Sequence, residues 1–180
     1  MLDVPKKGVR PTQDRVRAAI FSALQAVIPG TSVLDLFAGT GAFGLEALSR
    51  GALLACFVEN DRKTLPYLKK NVEQLLGGQA ENCDKDDQKW WLVSGDAGQF
   101  LAGNPVKAPF DIIFADPPYD SGEKWSKIIL YHLSRRSILA KKGYLIIESG
   151  AKSPRVEAEG WNIYWERLYG ETRVCIYRLK

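Results

Sequence analysis

Residues Val33–Gly44 read VLDLFAGTGAFG, an apolar run that breaks into a glycine turn matching G-x-G-x-x-G. A short apolar run ending in such a turn reads as a strand buried on both faces, followed by the start of a helix. In an open α/β sheet the first strand-to-helix turn is where a nucleotide comes closest to the backbone. Glycine is needed there because a Cβ would collide with the ligand or forbid the turn. Gly39, Thr40 and Gly41 fill that role.

The neighbouring sequence fits such a sheet. Upstream, Val16, Ala19, Ile20, Ala23, Leu24 and Val27 fall at three-four spacing, which predicts a helix from Thr12 to Ile28, capped by Thr12 or Asp14 and stopped by Pro29-Gly30. Downstream, a helix is expected from Ala42 to Arg50, a buried strand from Leu53 to Val58, and a helix from Asp61 to Leu76. The polar stretch Gln79–Lys89 has no periodicity and reads as a surface loop. Strands are predicted at Trp90–Ser94, Phe110–Ala115 and Tyr144–Glu148, with helical segments at Ala97–Leu101 and Glu123–Leu139. Trp161–Leu168 and Thr172–Leu179 are close enough to pair across Tyr169-Gly170-Glu171 as an antiparallel hairpin. The plan is five β-α units closed by that hairpin: a doubly wound, mostly parallel seven-stranded Rossmann-like sheet. Residues 1–180 are expected to form one domain, with a basic leader and first helix over 1–30 and the core over 31–180.

With 46% hydrophobic and 26% charged residues, the composition suggests neither disorder nor a membrane span. The N-terminus has no apolar h-region behind its lysines, which predicts a cytoplasmic protein. Cys56, Cys83 and Cys175 form no C-x-x-C pair, and the only histidine, His132, has no cysteine or histidine neighbour, so no metal site is expected. The net charge of +4 is unevenly spread: Lys124, Lys127, Arg135, Arg136, Lys141 and Lys142 follow one another with no acid between them. That asymmetry is compatible with a polyanionic partner.

On the motif alone, NAD fits the turn. Glu59 lies 20 residues after Gly39, where a carboxylate can accept from both ribose hydroxyls. Three features tilt the balance toward S-adenosyl-L-methionine. Asp35 sits inside the first strand, where it can reach an ammonium lying over the turn; Asp96, after Ser94-Gly95, can accept from an adenine amine. The fourth strand ends in Asp116-Pro117-Pro118-Tyr119, which has no role in hydride transfer.

The series DLFAGTGAFG, FVEND, GDA and FDIIFADPPY resembles the class I S-adenosylmethionine-dependent methyltransferases that modify exocyclic amines of bases. Arg10–Arg17 (RPTQDRVR) with Phe21, together with Gly39–Ala52, is similar to the RsmD group of small-subunit rRNA guanine-N2 methyltransferases, over nearly the whole chain. The resemblance implies cofactor contacts from Phe37, Ala38, Gly39, Thr40 and Gly41, from Glu59 and Asn60 at the ribose, and from Asp96 and Ala97 at the adenine. Thr12 and Arg15 match the segment that folds over the methionine end. It also implies a partner, ribosomal RNA or the assembling small subunit, and a monomeric enzyme. Family members usually carry a basic glycine-rich hairpin before the RPT segment. Only nine residues precede Arg10 here, so either the start is truncated or RNA binding rests on the leader and the Lys124–Lys142 face.

An exocyclic amine is a poor nucleophile because its lone pair is delocalised into the ring. Asp116 and the carbonyl of Pro117 can accept the amine's hydrogens and turn the lone pair toward a sulfonium methyl. The two prolines stiffen the loop, and Tyr119 can stack on a flipped base. The motif specifies an amine and leaves guanine N2 or adenine N6 open. A more distant alternative, an NAD-dependent oxidoreductase, lacks a catalytic histidine or tyrosine-lysine pair.

Overall fold

The computed structural model describes residues 11–76, 89–103, 109–118 and 121–180. Its elements, in chain order, are α1 (Pro11–Ala23), β1 (Ser32–Asp35), α2 (Ala42–Ser49), β2 (Leu54–Glu59), α3 (Leu65–Leu76), β3 (Trp90–Ser94), α4 (Ala97–Ala102), β4 (Phe110–Ala115), α5 (Gly122–Arg135), β5 (Leu139–Gly150), β6 (Trp161–Tyr169) and β7 (Thr172–Leu179). The seven strands form one sheet in the order β3-β2-β1-β4-β5-β7-β6. β1 to β5 run parallel, and β7 inserts antiparallel between β5 and the edge strand β6. The order reverses between β1 and β4, so the crevice where a ligand belongs opens at the carboxyl ends of those two strands.

Each face of the sheet is covered because its strands are apolar on both sides. On one face α1 and α2 bury Val16, Ile20, Phe21, Phe43 and Ala47 against Val33, Ile112, Ile146 and Val174. On the other, α4 and α5 bury Leu101, Ile129, Leu130 and Leu133 against Leu34, Ile113, Leu145 and Cys175. Phe43 stacks on Phe114 with ring centroids 3.9 Å apart, fixing α2 against the end of β4. Gly44 packs its backbone on the Phe57 ring: a Cβ there would lie 2.4 Å from Cε1. The third glycine of the motif thus lets the helix approach the sheet.

Several elements have other limits than the periodicity predicts, among them α3, which begins at Leu65 and not at Asp61. α1 stops at Ala23, although Leu24 and Ile28 stay buried; the chain tightens through Val27 N–H to Leu24 O at 2.8 Å and turns at Gly30, φ +80°. Spacing counted buried positions, and a turn packed under a helix buries the same ones. α5 stops at Arg135, and Leu139 joins the sheet opposite Phe110 instead of continuing the helix. The apolar pair Ile138-Leu139 satisfies either period. β5 is followed by a turn leading to β6 and not by a helix, so there are four β-α units and not five. The loop expected over 79–89 lies almost entirely outside the described residues.

Candidate active site

Parallel strands of similar length deliver the residues that follow them to one edge of the sheet, and here those residues are acidic. Asp35 ends β1, Glu59 ends β2, Asp116 follows β4, and Glu148 lies near the end of β5. Asp35, Asp116 and Glu148 line one cavity of about 180 Å³ with Phe37, Ala38, Gly39 and Thr40, roofed by Gln13 and Arg17 of α1. Asp35 and Asp116, from two different strand ends, therefore meet beside the glycine turn. Larger grooves, such as one of about 490 Å³ beside Trp161 and Tyr177, touch neither the turn nor these strand ends.

Asp35 is 1% exposed. Its Oδ2 accepts from the Gly44 amide at 3.2 Å, tying β1 to the first turn of α2, while Oδ1 is buried without a partner. Burial raises its pKa to about 7, with the charges of Asp116 and Glu59 adding to the rise and the amides of Gly44 and Phe37 opposing it. Burial also pushes the Asp116 carboxyl up. Glu148 is raised by burial first and then by Asp116 and Asp35, against the pull of Arg17. Arg17 is itself shared, donating to Glu46 at 2.9 Å and to Asp14 at 2.7 Å.

Glu59 shapes the turn. Its Oε2 accepts from the Gly39 amide and its Oε1 from the Asp61 amide, each at 2.6 Å. That grip holds Gly39 at φ +54°, and Gly41 follows at φ +86°. Asn71 of α3 donates Nδ2 to the Thr40 carbonyl at 3.0 Å, bracing the turn from the other side. Asp96 caps α4, its Oδ1 accepting from the Gln99 amide at 3.0 Å, and Ala97 is buried behind it. Phe37 links the two regions: it lines the cavity and packs edge-on against Trp125 at 5.0 Å.

The remaining sequence candidates lie apart from the cavity wall. Gly41, Glu59 and Asn60 sit behind or beside the turn, and Asn60 is exposed. Pro117 is buried and Pro118 exposed, its carbonyl accepting from the Ser121 amide at 2.9 Å. Tyr119 and the side chain of Thr12 lie outside the described residues. Arg15 is exposed and does not line the cavity, because packing of Val16 and Ile20 turns Gln13 and Arg17, one helical turn apart, toward the strand ends. Glu148, like Gln13 and Arg17, is a wall residue that the sequence reading left without a role. The signal was an apolar strand ending in an acid, as for Asp35.

The family described as conserved hypothetical protein 95 matches residues 1–178. The Escherichia coli K12 protein named ribosomal RNA small subunit methyltransferase D is 37% identical over 180 residues, covering 98% of this chain and 83% of the relative. The chain belongs to this family. The Bacillus subtilis putative rRNA methyltransferase YlbH is 33% identical, covering 95% of this chain and 88% of its own. Among solved structures, the putative methyltransferase yhhF from Escherichia coli superposes with TM-score 0.82 at 33% identity, over 99% of this chain and 91% of the other. SMU.776, a putative methyltransferase complexed with SAH, shares the fold at TM-score 0.72 and 18% identity, over 98% of this chain and 52% of its own. The fold is that of the class I methyltransferases. Among the described residues no helix is long and apolar enough to cross a membrane, and no cluster of histidine, cysteine and acidic residues is arranged to hold a metal ion.

Proposed function

We propose that this chain transfers a methyl group from S-adenosyl-L-methionine to the exocyclic N2 amine of a guanine in small-subunit ribosomal RNA. The observation that carries the reading is the single cavity in which the Asp35 and Asp116 carboxyls face the Gly39–Thr40 turn. The buried, unpartnered Oδ1 of Asp35 fits a cation, and a turn clamped by Glu59 fits a nucleoside. When bound, the cofactor supplies a methyl group already activated on a positively charged sulfur.

The chain's own residues bind and orient. Asp35 accepts from the ammonium at the methionine end, Glu59 accepts from the ribose hydroxyls, and Asp96 with Ala97 meets the adenine. Asp116 and the Pro117 carbonyl accept the two hydrogens of the target amine, which frees its lone pair for the methyl carbon. Asp116 would accept the proton that the amine loses on taking up the donor's methyl group. A carboxyl held near neutrality by burial suits that exchange better than a free one. Orientation of this kind contributes on the order of 7 kcal/mol or more.

The test is Asp116→Ala assayed with labelled S-adenosyl-L-methionine and ribosomal RNA from cells lacking the enzyme. Turnover is expected to vanish while S-adenosyl-L-homocysteine still binds within a few-fold. Label mapped to adenine instead of guanine N2 would move the reading to an adenine-N6 enzyme, and full activity in the variant would remove Asp116 from the chemistry.

A further inference from the structure

The register of the C-terminal hairpin places a second feature on the cavity's side of the sheet. Glu148 pairs with Val174, and Val174 pairs with Arg167 on the edge strand. Directly paired residues project from the same face, and Val174 packs with Val16 and Ile20 of α1. Arg167 therefore sits on the α1 side in the same row as Glu148, two strands and about 10 Å away.

Around it lies a run of aromatic and guanidinium planes. Arg167 lies over Trp165 at 5.5 Å, and Trp165 neighbours Tyr169 at 6.5 Å. Arg178 lies over Tyr144 at 4.9 Å and over Tyr164 at 5.9 Å. Strict alternation would send Tyr164 and Trp165 to opposite faces. The register shift between Ile163 and Trp165 brings both to the α1 side, where Tyr164 meets Tyr144 and Trp165 meets the core beneath α1. A bulge on an edge strand re-aims a side chain, and here it converts an alternating strand into a continuous stripe.

The arginines of this stripe carry no carboxylate partner: Arg17, Arg50, Arg155 and Arg173 are held by acids, whereas neither Arg167 nor Arg178 makes an ion pair among the described residues. Glu166, the acid of this strand, pairs with Cys175, whose neighbours lie on the opposite face, and is occupied by Arg155 and Arg173. Tyr164 is 56% exposed, a large ring left in solvent beside an unneutralised guanidinium. Flat rings alternating with arginines that no carboxylate neutralises are what unpaired bases stack on, with the phosphates drawn by the same arginines. The geometry points to the stripe Tyr144, Tyr164, Trp165, Arg167, Tyr169 and Arg178 as the platform for the single-stranded RNA flanking the target nucleotide, an assignment that rests on the proposed RNA substrate. It differs from the Lys124–Lys142 stretch, whose helix α5 packs on the other face.

The test compares the full chain with Arg167→Glu/Arg178→Glu in binding a short single-stranded RNA and a duplex of the same sequence. The double variant is expected to bind the single strand at least about tenfold more weakly, with a shallower salt dependence and a smaller loss on the duplex. S-adenosyl-L-homocysteine affinity should be unchanged, which shows an intact cofactor pocket. Trp165→Phe, a conservative change, should abolish part of the tryptophan quenching that the RNA produces in the parent. Undiminished single-strand affinity in the double variant overturns the platform, as do equal losses on both RNAs or quenching that Trp165→Phe leaves undiminished. Methyl transfer to RNA is scored separately: parent protein that binds the single strand through these residues yet methylates no RNA overturns the proposed function and leaves the platform standing.

Discussion

Asp35→Asn removes a buried ionisable group while keeping the acceptor that Gly44 uses, so its effect can be worked out with its sign. The Asp35 carboxyl rises from an ordinary 3.8 to about 7 in the folded chain, chiefly through burial. The folded state therefore holds a proton that the unfolded state has released, and stability is fully present below about pH 4 and drains away as pH rises through 7. At 1.36 kcal/mol per unit, the loss reaches about 4 kcal/mol by pH 8. Asparagine does not ionise. The variant should match the parent near pH 4 and exceed it by about 4 kcal/mol at pH 8, roughly 8–16 °C in Tm for a chain of this size. The assay is a series of thermal melts of ligand-free protein from pH 4 to 8. Under the proposed function the same variant loses the acceptor aimed at the cofactor's ammonium, so stability rises as binding falls. Parallel Tm curves for parent and variant across the range would refute the reasoning, because they would mean that Asp35 is not paying a burial cost in the folded state.

Three further outcomes follow from the same geometry. Because the cavity acids ionise as pH rises through about 7, affinity for cationic S-adenosyl-L-methionine should increase relative to S-adenosyl-L-homocysteine, which lacks the sulfonium charge; calorimetric titrations at pH 6 and pH 8 read that ratio, and a flat ratio contradicts it. Gly44→Ala drives a Cβ to 2.4 Å from the buried Phe57 ring and should cost about 1–3 kcal/mol in a denaturant melt. Glu59→Gln leaves one of the Gly39 and Asp61 amides facing an amide donor, which should cost about 1–3 kcal/mol of stability. The loosened turn should bind S-adenosyl-L-homocysteine tenfold or more weakly.

Legibility in the sequence tracked how completely a segment is committed to one environment. β3 and β4 have the predicted limits because they are short apolar runs bounded by glycine or acid, with no helical reading to compete. The hairpin was legible from two strand-length runs around one tight turn. Where one apolar residue served two periods, as at Leu139, the tertiary partner Phe110 decided, and no local signal carries that. The facing of α1 was in principle readable, since Val16 and Ile20 fix the buried stripe and so place Arg17 beside it and Arg15 away. The resemblance points to Arg15, and packing places Arg17 in the cavity wall. Glu148 was visible as a strand-ending acid, yet its part in the site depends on β5 lying next to β4, which is a fact of strand order. The bulge at Ile163–Trp165 left no mark in composition.

Strand order also decides between the two nucleotides that the glycine motif admits. Parallel neighbours β1, β4 and β5 present the residues at or next to their carboxyl ends to one small volume, and Asp35, Asp116 and Glu148 are among them. The one arginine in the wall is already shared between Glu46 and Asp14, so it offsets only part of that charge. A pyrophosphate brought into this volume would face the acids directly, and like charges 4 Å apart at an effective dielectric of about 20 repel by about 4 kcal/mol per pair. A ligand bearing ammonium and sulfonium reverses the sign of each of those interactions. The cost of burying Asp35 in the empty protein is thus the reverse side of its selectivity: the acid is held where a proton or a bound cation relieves it, and a Rossmann-like turn that could cradle a dinucleotide is committed to a positively charged one-carbon donor.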